Sequence, residues 1–247
     1  MDNYYVSNRD DEYLIITQSY KTLINTLKKL KMGKNRIIHV IGAPGTGKSA
    51  NIYHAINELN LNIYDVKLDI PNRAISSREV FDTIFKCLKN DLKLESKKNV
   101  YKKLAEFDLV IIADGFQDSH RQNPEIIGFS QWTKIMSFKS FKFYLLCIWE
   151  YLKYWEDFKH INLLLQTSWR IYIGGEKYDL FTDLGILSKF LVFTLKRFFT
   201  VVEISYSEEE TIKIVKNYIP HVDENLILIY IKKYGHKPRF IFNILNQ

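Results

Sequence analysis

The residues with the most explicit chemistry are Gly42-Ala43-Pro44-Gly45-Thr46-Gly47-Lys48-Ser49, which directly follow the apolar run Ile37-Ile38-His39-Val40-Ile41. They satisfy G-x-x-x-x-G-K-[ST]. In that spacing the glycines let the backbone turn its N–H groups inward, and those donors cradle a polyphosphate together with the next helix N-terminus. Lys48 supplies a mobile positive charge for the β- and γ-phosphates, and Ser49 a hydroxyl for Mg²⁺. From Ala50 to Leu59 the sequence is amphipathic, so the motif sits between a predicted buried strand and a predicted helix, as it must.

A metal-binding acid is expected downstream. Phe107-Asp108-Leu109-Val110-Ile111-Ile112-Ala113-Asp114 is an apolar run closing in a carboxylate, the pattern of a central parallel strand buried on both faces. Asp114, at the carboxyl end, is placed to hold Mg²⁺ directly or through water. The next residue is Gly115, where a glutamate would orient the attacking water. The hydrolytic base is therefore open: Asp118 and Glu125 are candidates if the loop 115–128 folds back, and slow hydrolysis is the alternative. Ile161 to Ser168 is a third strand, apolar and then abruptly polar. Thr167 or Ser168 would emerge beside the γ-phosphate if this strand lies between the two motif strands.

The positioning elements follow from periodicity and punctuation. Apolar Leu14, Ile15, Tyr20, Leu23, Ile24 and Leu27 predict a helix over Tyr13 to Lys31. Its basic tail, Lys28 to Arg36, is a solvated helix end in preference to a nucleic-acid patch. Leu61 to Leu68 is a predicted strand, and Ser77 to Leu92 a helix capped by Ser76 or Ser77. Phe129 to His160 is helix-rich and aromatic, with interleaved lysines; core or partner contacts are favoured over stacking on nucleic-acid bases. Trp169 to Ser188 is expected to be a loop with a short helix, and Thr200 to Ile204 the last strand. Ser207-Glu208-Glu209-Glu210 is a capping box opening a helix through Tyr218, stopped by Pro220. Asp223 caps a second helix ending at Gly235, and Pro238 opens a third through Leu245. The expected architecture is an α/β three-layer sandwich of the phosphate-loop type with a mostly parallel central sheet over residues 1–204, then a helical lid over 205–247.

Composition sets the remaining bounds. With 247 residues, 47% of them apolar, the chain can bury a substantial core. No run reaches the roughly 18 uninterrupted apolar residues of a membrane span, and Met1 to Tyr5 does not open a signal peptide, so the expectation is no membrane contact and a cytoplasmic protein, nuclear if eukaryotic. Cys87 and Cys147 lack metal-type spacing and are expected to be buried free thiols. The net charge of +7, from 35 basic and 28 acidic residues, permits polyanion binding without requiring it.

Core then lid, with these motifs in this order, resembles the AAA+ ATPases, within them the initiator, origin-recognition-like and clamp-loader-like branch. Gly42 to Ser49 is similar to Walker A, Leu109 to Asp114 to Walker B, and Leu163 to Ser168 to the sensor-1 strand. Tyr234-Gly235-His236-Lys237-Pro238-Arg239 resembles sensor 2. The resemblance implies ATP and ADP as ligands with Mg²⁺ as cofactor, Gly42 to Ala50 and Arg239 at the nucleotide, and Ser49 and Asp114 on the metal. It further implies Thr167 or Ser168 reading the γ-phosphate and Arg239 coupling it to the lid. Arg197 would act in trans on a neighbouring subunit's nucleotide, unless it is a domain-boundary salt-bridge residue. The implied partners are DNA and a homo- or hetero-oligomer sharing the nucleotide site. Two departures are Gly115 and the lack of a winged-helix segment after the lid within these 247 residues, which leaves DNA binding open. The implied role is ATP-driven rearrangement in an assembly such as replication initiation; the alternatives are a non-hydrolysing ATP-bound switch or scaffold, or a signalling or defence ATPase.

Overall fold

The computed structural model describes residues 15–31, 37–65, 77–94, 96, 99–107, 110–113, 133–134, 138–167, 170–173 and 176–246. Among them the strands are β1 (Ile37–Ile41), β2 (Ile63–Asp65), β3 (Val110–Ala113), β4 (Thr133–Lys134), β5 (Asn162–Thr167), β6 (Arg170–Ile173), β7 (Glu176–Asp179) and β8 (Thr200–Glu203). The helices are α1 (Gln18–Lys31), α2 (Lys48–Leu59), α3 (Ser77–Asp91), α4 (Val100–Ala105), α5 (Phe138–Lys153), α6 (Trp155–Phe158), α7 (Ile186–Phe198), α8 (Glu208–Tyr218), α9 (Glu224–Tyr234) and α10 (Pro238–Leu245).

The apolar runs predicted as buried strands line up in one five-stranded sheet, in the order β2-β3-β5-β1-β8. β2 runs parallel to β3 with Ile63 opposite Val110, and β3 runs parallel to β5 with Ile111 opposite Leu163. β1 and β5 alternate buried with half-buried positions, one face sealed and the other partly covered, which accords with their near-continuous Ile, Leu and Val. Ile38, Val40, Ile41, Ile112 and Leu164 are all fully buried. β5 stands between β3 and β1 in the sheet. This order, with helices between successive parallel strands, is the expected phosphate-loop α/β fold.

Contacts divide the chain into two units. One comprises Met1–Gly33, Val40–Leu61 and Val202–Gln247, the other Lys34–His39 and Asn62–Val201. In the first, α1 packs on α2. The buried Tyr20 hydroxyl donates to Glu58 Oε2 at 2.5 Å and also bonds His54 Nδ1 at 2.7 Å. α8, α9 and α10 close around Val215, Ile227, Ile231 and Ile241. Their ends are those the sequence predicts. Ser207 Oγ accepts from the Glu210 N–H at 3.1 Å while Glu210 Oε2 accepts from the Ser207 N–H at 3.0 Å. Asp223 caps α9, and Pro238 opens α10. Glu210 also accepts the Gln18 N–H through Oε1 at 2.8 Å, so one carboxylate satisfies orphan donors at two helix N-termini. In the second unit, Phe81, Phe85 and Leu88 of α3 meet Val100, Tyr101 and Leu104 of α4 over Ile111.

Four sequence expectations need correction. α1 begins at Gln18, not Tyr13, because Thr17 Oγ1 caps it by accepting the Tyr20 N–H at 3.2 Å. The helix after the phosphate loop begins at Lys48, not Ala50. The stretch from Trp169, expected as loop and short helix, contains the antiparallel pair β6–β7, with Ile173 opposite Glu176; β4 joins it in parallel as a second, three-stranded sheet. A two-residue Gly-Gly between Arg-Ile-Tyr-Ile and Glu-Lys-Tyr-Asp is a hairpin signal that the glycine count alone obscures. Cys87 and Cys147 are free, but half-buried rather than buried. Burial, with a smaller contribution from Glu150, pushes the Cys147 thiol up to about 12, so it stays protonated at neutral pH.

The core shared by α8, α9 and α10 and the cap of α8 can be separated by mutation. Ser207→Ala removes one capping bond and should lower unfolding free energy by about 1 kcal/mol, and Ile227→Ala by about 3 kcal/mol, both read as urea midpoints at unchanged slope.

Candidate phosphate-binding site

The phosphate loop leaves the carboxyl end of β1 and runs into the first turn of α2. Gly47 is the N-cap of α2 with φ 73°, and Gly45 has φ 86°; both lie in the left-handed region where a Cβ is strained. Gly42 is needed for a different reason. A Cβ there would lie 2.6 Å from the Ile204 carbonyl oxygen, on a segment held in place by the Ile204 N–H donating to Ile41 O at 2.8 Å.

The loop's carbonyls are taken up by donors of the protein itself. The buried Lys48 reaches Gly42 O at 2.7 Å and Ala43 O at 3.2 Å through Nζ. Ala43 O also accepts from Thr46 Oγ1 at 2.8 Å. Gly45 O accepts the Arg239 N–H at 3.1 Å. Thr46 O accepts from the Tyr206 hydroxyl at 2.7 Å, and Gly47 O from Asn51 Nδ2 at 2.8 Å. Asn51 Nδ2 also donates to the Tyr206 oxygen at 3.0 Å. Burial pushes the Tyr206 phenol up to about 12, so it remains an O–H donor at neutral pH. With its carbonyls held this way and a helix N-terminus at Lys48, the loop has the donor set of a polyphosphate cradle. Asn51 Oδ1 is a buried acceptor without a partner immediately behind the loop.

Helix α10 belongs to this same unit. Arg239, expected at the nucleotide through its side chain, touches the loop through its backbone N–H while its side chain is exposed. Phe240 covers Gly45, its Cδ2 lying 3.1 Å from where a Cβ would stand. Ser49 and Ala50 are half-buried on the first turn of α2. Asp114, Gly115, Asp118, Glu125 and Ser168 lie outside the described residues.

In the other unit, Thr167 ends β5 and its Oγ1 is 2.8 Å from His39 Nδ1. Burial lowers the His39 imidazole to about 4, so it is neutral at physiological pH. Arg197 is exposed on the last turn of α7. Tyr206, Asn51 and His39 were absent from the residues the sequence singled out. A histidine inside an otherwise apolar central strand was the one available signal; nothing in the sequence marks Tyr206 or Asn51.

Strand order and loop placement together define a phosphate-loop nucleoside-triphosphatase fold. No family model matches the chain, and no curated protein matches it in sequence. Solved structures similar to it include AMPPCP-bound DnaA from Aquifex aeolicus (16% identity, TM-score 0.44, 94% of this chain and 62% of that one). Others are the RuvB Holliday junction branch migration motor of Thermotoga maritima (14%, 0.43, 93% and 60%) and a Walker-type ATPase of Pyrococcus abyssi (16%, 0.46, 98% and 69%). The chain thus spans about three-fifths of the length of the DnaA and RuvB chains.

Two outcomes follow from this geometry. Tyr206→Phe leaves the Thr46 carbonyl without its donor and should cost about 1–3 kcal/mol of stability in denaturant titration. His39 is held near 4 in the folded chain against 6.5 in the unfolded one. Its contribution is fully present above pH 6.5 and is lost as pH falls towards 4, because the unfolded state then takes up the proton the folded state resists. The loss is at most about 3 kcal/mol, and a non-titrating His39→Asn chain should show a shallower acid limb.

Proposed function

We propose that the chain is an Mg²⁺-ATP-dependent ATPase of the AAA+ class. Its nucleotide state would set the lid position and rearrange a nucleic-acid assembly such as one acting in replication initiation. The observation that carries this reading is the phosphate loop whose Gly45 carbonyl is bonded by the first turn of a lid helix, so that one element both grips phosphate and touches the lid. Gly42 to Ala50 hold the phosphates, with Lys48 exchanging its loop carbonyls for β- and γ-phosphate oxygens. Ser49 and Asp114 hold Mg²⁺. Thr167 or Ser168 reads the γ-phosphate, Asp118 or Glu125 orients water, and the exposed Arg239 guanidinium follows the nucleotide. Bound ATP supplies the phosphoanhydride to be cleaved.

Arg197 is the residue proposed to act on a neighbouring subunit. It ends a stripe on α7 in which Ile186, Phe190 and Phe193 are 86%, 62% and 71% exposed, at helical spacing i, i+4, i+7. Exposed apolar rows of this kind support an oligomer that buries them. DNA as the partner rests on the motif resemblance and the +7 charge. A cytoplasmic location, nuclear in a eukaryote, accords with it. Gly115 favours a second reading, a non-hydrolysing ATP-bound switch.

Purified protein and Lys48→Ala, each with Mg²⁺-ATP, with and without duplex DNA and over a range of protein concentrations, separate these readings. The variant should bind ATP at least about tenfold more weakly. Unchanged affinity would refute the site. Turnover that rises with protein concentration supports the shared site, whereas tight binding without turnover selects the switch.

A further inference from the structure

Residues 204–207 join the last strand to α8 within the unit that holds the phosphate loop, and they are tied down one after another. The Ile204 N–H donates to Ile41 O at 2.8 Å, at the end of β1. Ser205 is bonded twice to Ser19 of α1: its N–H donates to Ser19 Oγ at 3.1 Å, and its carbonyl accepts from the same hydroxyl at 2.6 Å. Ser207 caps α8. A connector pinned this closely is a rigid mount for the side chain it carries, and that side chain is Tyr206. The Tyr206 hydroxyl has one proton, which goes to Thr46 O at 2.7 Å, while its oxygen accepts from Asn51 Nδ2 at 3.0 Å. Asn51 Nδ2 also donates to Gly47 O at 2.8 Å. The two side chains thus hold two successive carbonyls, those of Thr46 and Gly47. In a planar trans peptide the N–H points opposite to the carbonyl, so the N–H groups of Gly47 and Lys48 are turned away from the side where Tyr206 and Asn51 lie. Gly47 is left-handed, with φ 73° and ψ 33°, and Lys48 begins a right-handed helix; alternation of that kind gathers neighbouring N–H groups into an anion-binding nest. Asn51 Oδ1 is buried without a partner, so the residue's side-chain bonding to the loop rests entirely on its N–H donors.

We propose that Tyr206 and Asn51 are positioning residues for phosphate: by holding the Thr46 and Gly47 carbonyls on their own side, they aim the Gly47 and Lys48 N–H groups at a phosphate oxygen before any ligand arrives. This rests on the reading of residues 42–49 as a nucleotide phosphate site. Neither side chain needs to touch the anion. Glycine crosses between left- and right-handed φ at little cost, so the peptides on either side of Gly47 are the ones most in need of an external hold. Released from Tyr206 and Asn51, either peptide can rotate and present its oxygen to the anion in place of its N–H, which replaces an attraction with a repulsion. The hold is in place before binding, so the ligand does not have to order these two peptides itself.

The test measures the affinity of the full chain for pyrophosphate and for ADP by calorimetry, beside urea midpoints without ligand, in wild type, Tyr206→Phe, Asn51→Leu and Leu88→Ala. Leu88 is buried in the cluster that α3 forms with α4, in the other unit, so its truncation destabilises the chain without touching the loop. Asn51→Leu keeps a similar shape and removes the orphan acceptor together with the donors, so its midpoint should stay close to that of wild type. The expected result is that Tyr206→Phe and Asn51→Leu each weaken both ligands about tenfold, and by the same factor for pyrophosphate as for ADP, because the effect lies at the phosphate. Leu88→Ala should leave both affinities within about twofold of wild type. A merely structural role would make affinity follow the urea midpoint. Affinity lost in Leu88→Ala as much as in Tyr206→Phe, or wild-type affinity in Tyr206→Phe or Asn51→Leu, overturns the proposal while leaving the phosphate site intact. A wild type that binds neither pyrophosphate nor ADP overturns the site and this proposal with it. If Tyr206→Phe does not fold, Asn51→Leu decides alone, and unchanged pyrophosphate affinity in that variant overturns the positioning role.

Discussion

The structure depends on a steric and hydrogen-bonding constraint in the loop from Gly42 to Gly47. For Gly42 to Gly47 to present N–H groups to an anion, their carbonyl oxygens must turn away, and a buried carbonyl without a donor is as costly as a lost hydrogen bond. The chain meets this with donors from three places: Lys48 and Asn51 on α2, Tyr206 after the last strand, and the Arg239 backbone on the lid. The glycines solve the complementary problem. Gly45 and Gly47 adopt left-handed φ, and Gly42 makes room for the Ile204 carbonyl. The motif is thus a local sequence whose shape is completed by residues 150 to 200 positions away.

That distance explains what was legible in the sequence and what was not. Signals acting within one turn or one strand were readable: the motif itself, the capping box at Ser207, the cap at Asp223, Pro238 at the start of α10, and the buried strands Ile37–Ile41 and Asn162–Thr167. Each is decided by neighbours three or four residues off. The partners of the loop were not readable, because Tyr206 and Asn51 are ordinary residues until the fold brings them to Thr46 O and Gly47 O. The β6–β7 hairpin was missed for another reason. Gly174-Gly175 supports both a loop and a two-residue hairpin turn, and only the alternation on either side separates them.

His39 shows how a violated rule carries information. His39 lies on the half-buried face of an otherwise apolar interior strand, where its ring polarity is offset by a specific bond. The structure supplies it at Thr167, the residue whose polarity ends an otherwise apolar strand. The two polar exceptions in two adjacent central strands are thus one feature. Desolvation keeps the imidazole neutral and so keeps it able to carry a single, directional N–H.

The manner in which the lid touches the loop has a thermodynamic consequence. Arg239 bonds Gly45 O through its main chain, and Phe240 lies over the same glycine. Moving α10 away therefore strips a donor from a loop carbonyl and uncovers Gly45, unless the loop changes shape as well. Lid position and loop geometry are two descriptions of one equilibrium. A ligand that preferred one loop shape would shift α10 by an amount fixed by that differential affinity, and a partner that captured α10 would change that ligand's affinity by the same factor. The side chain of Arg239 is exposed, and the contact between α10 and the loop runs through its backbone N–H.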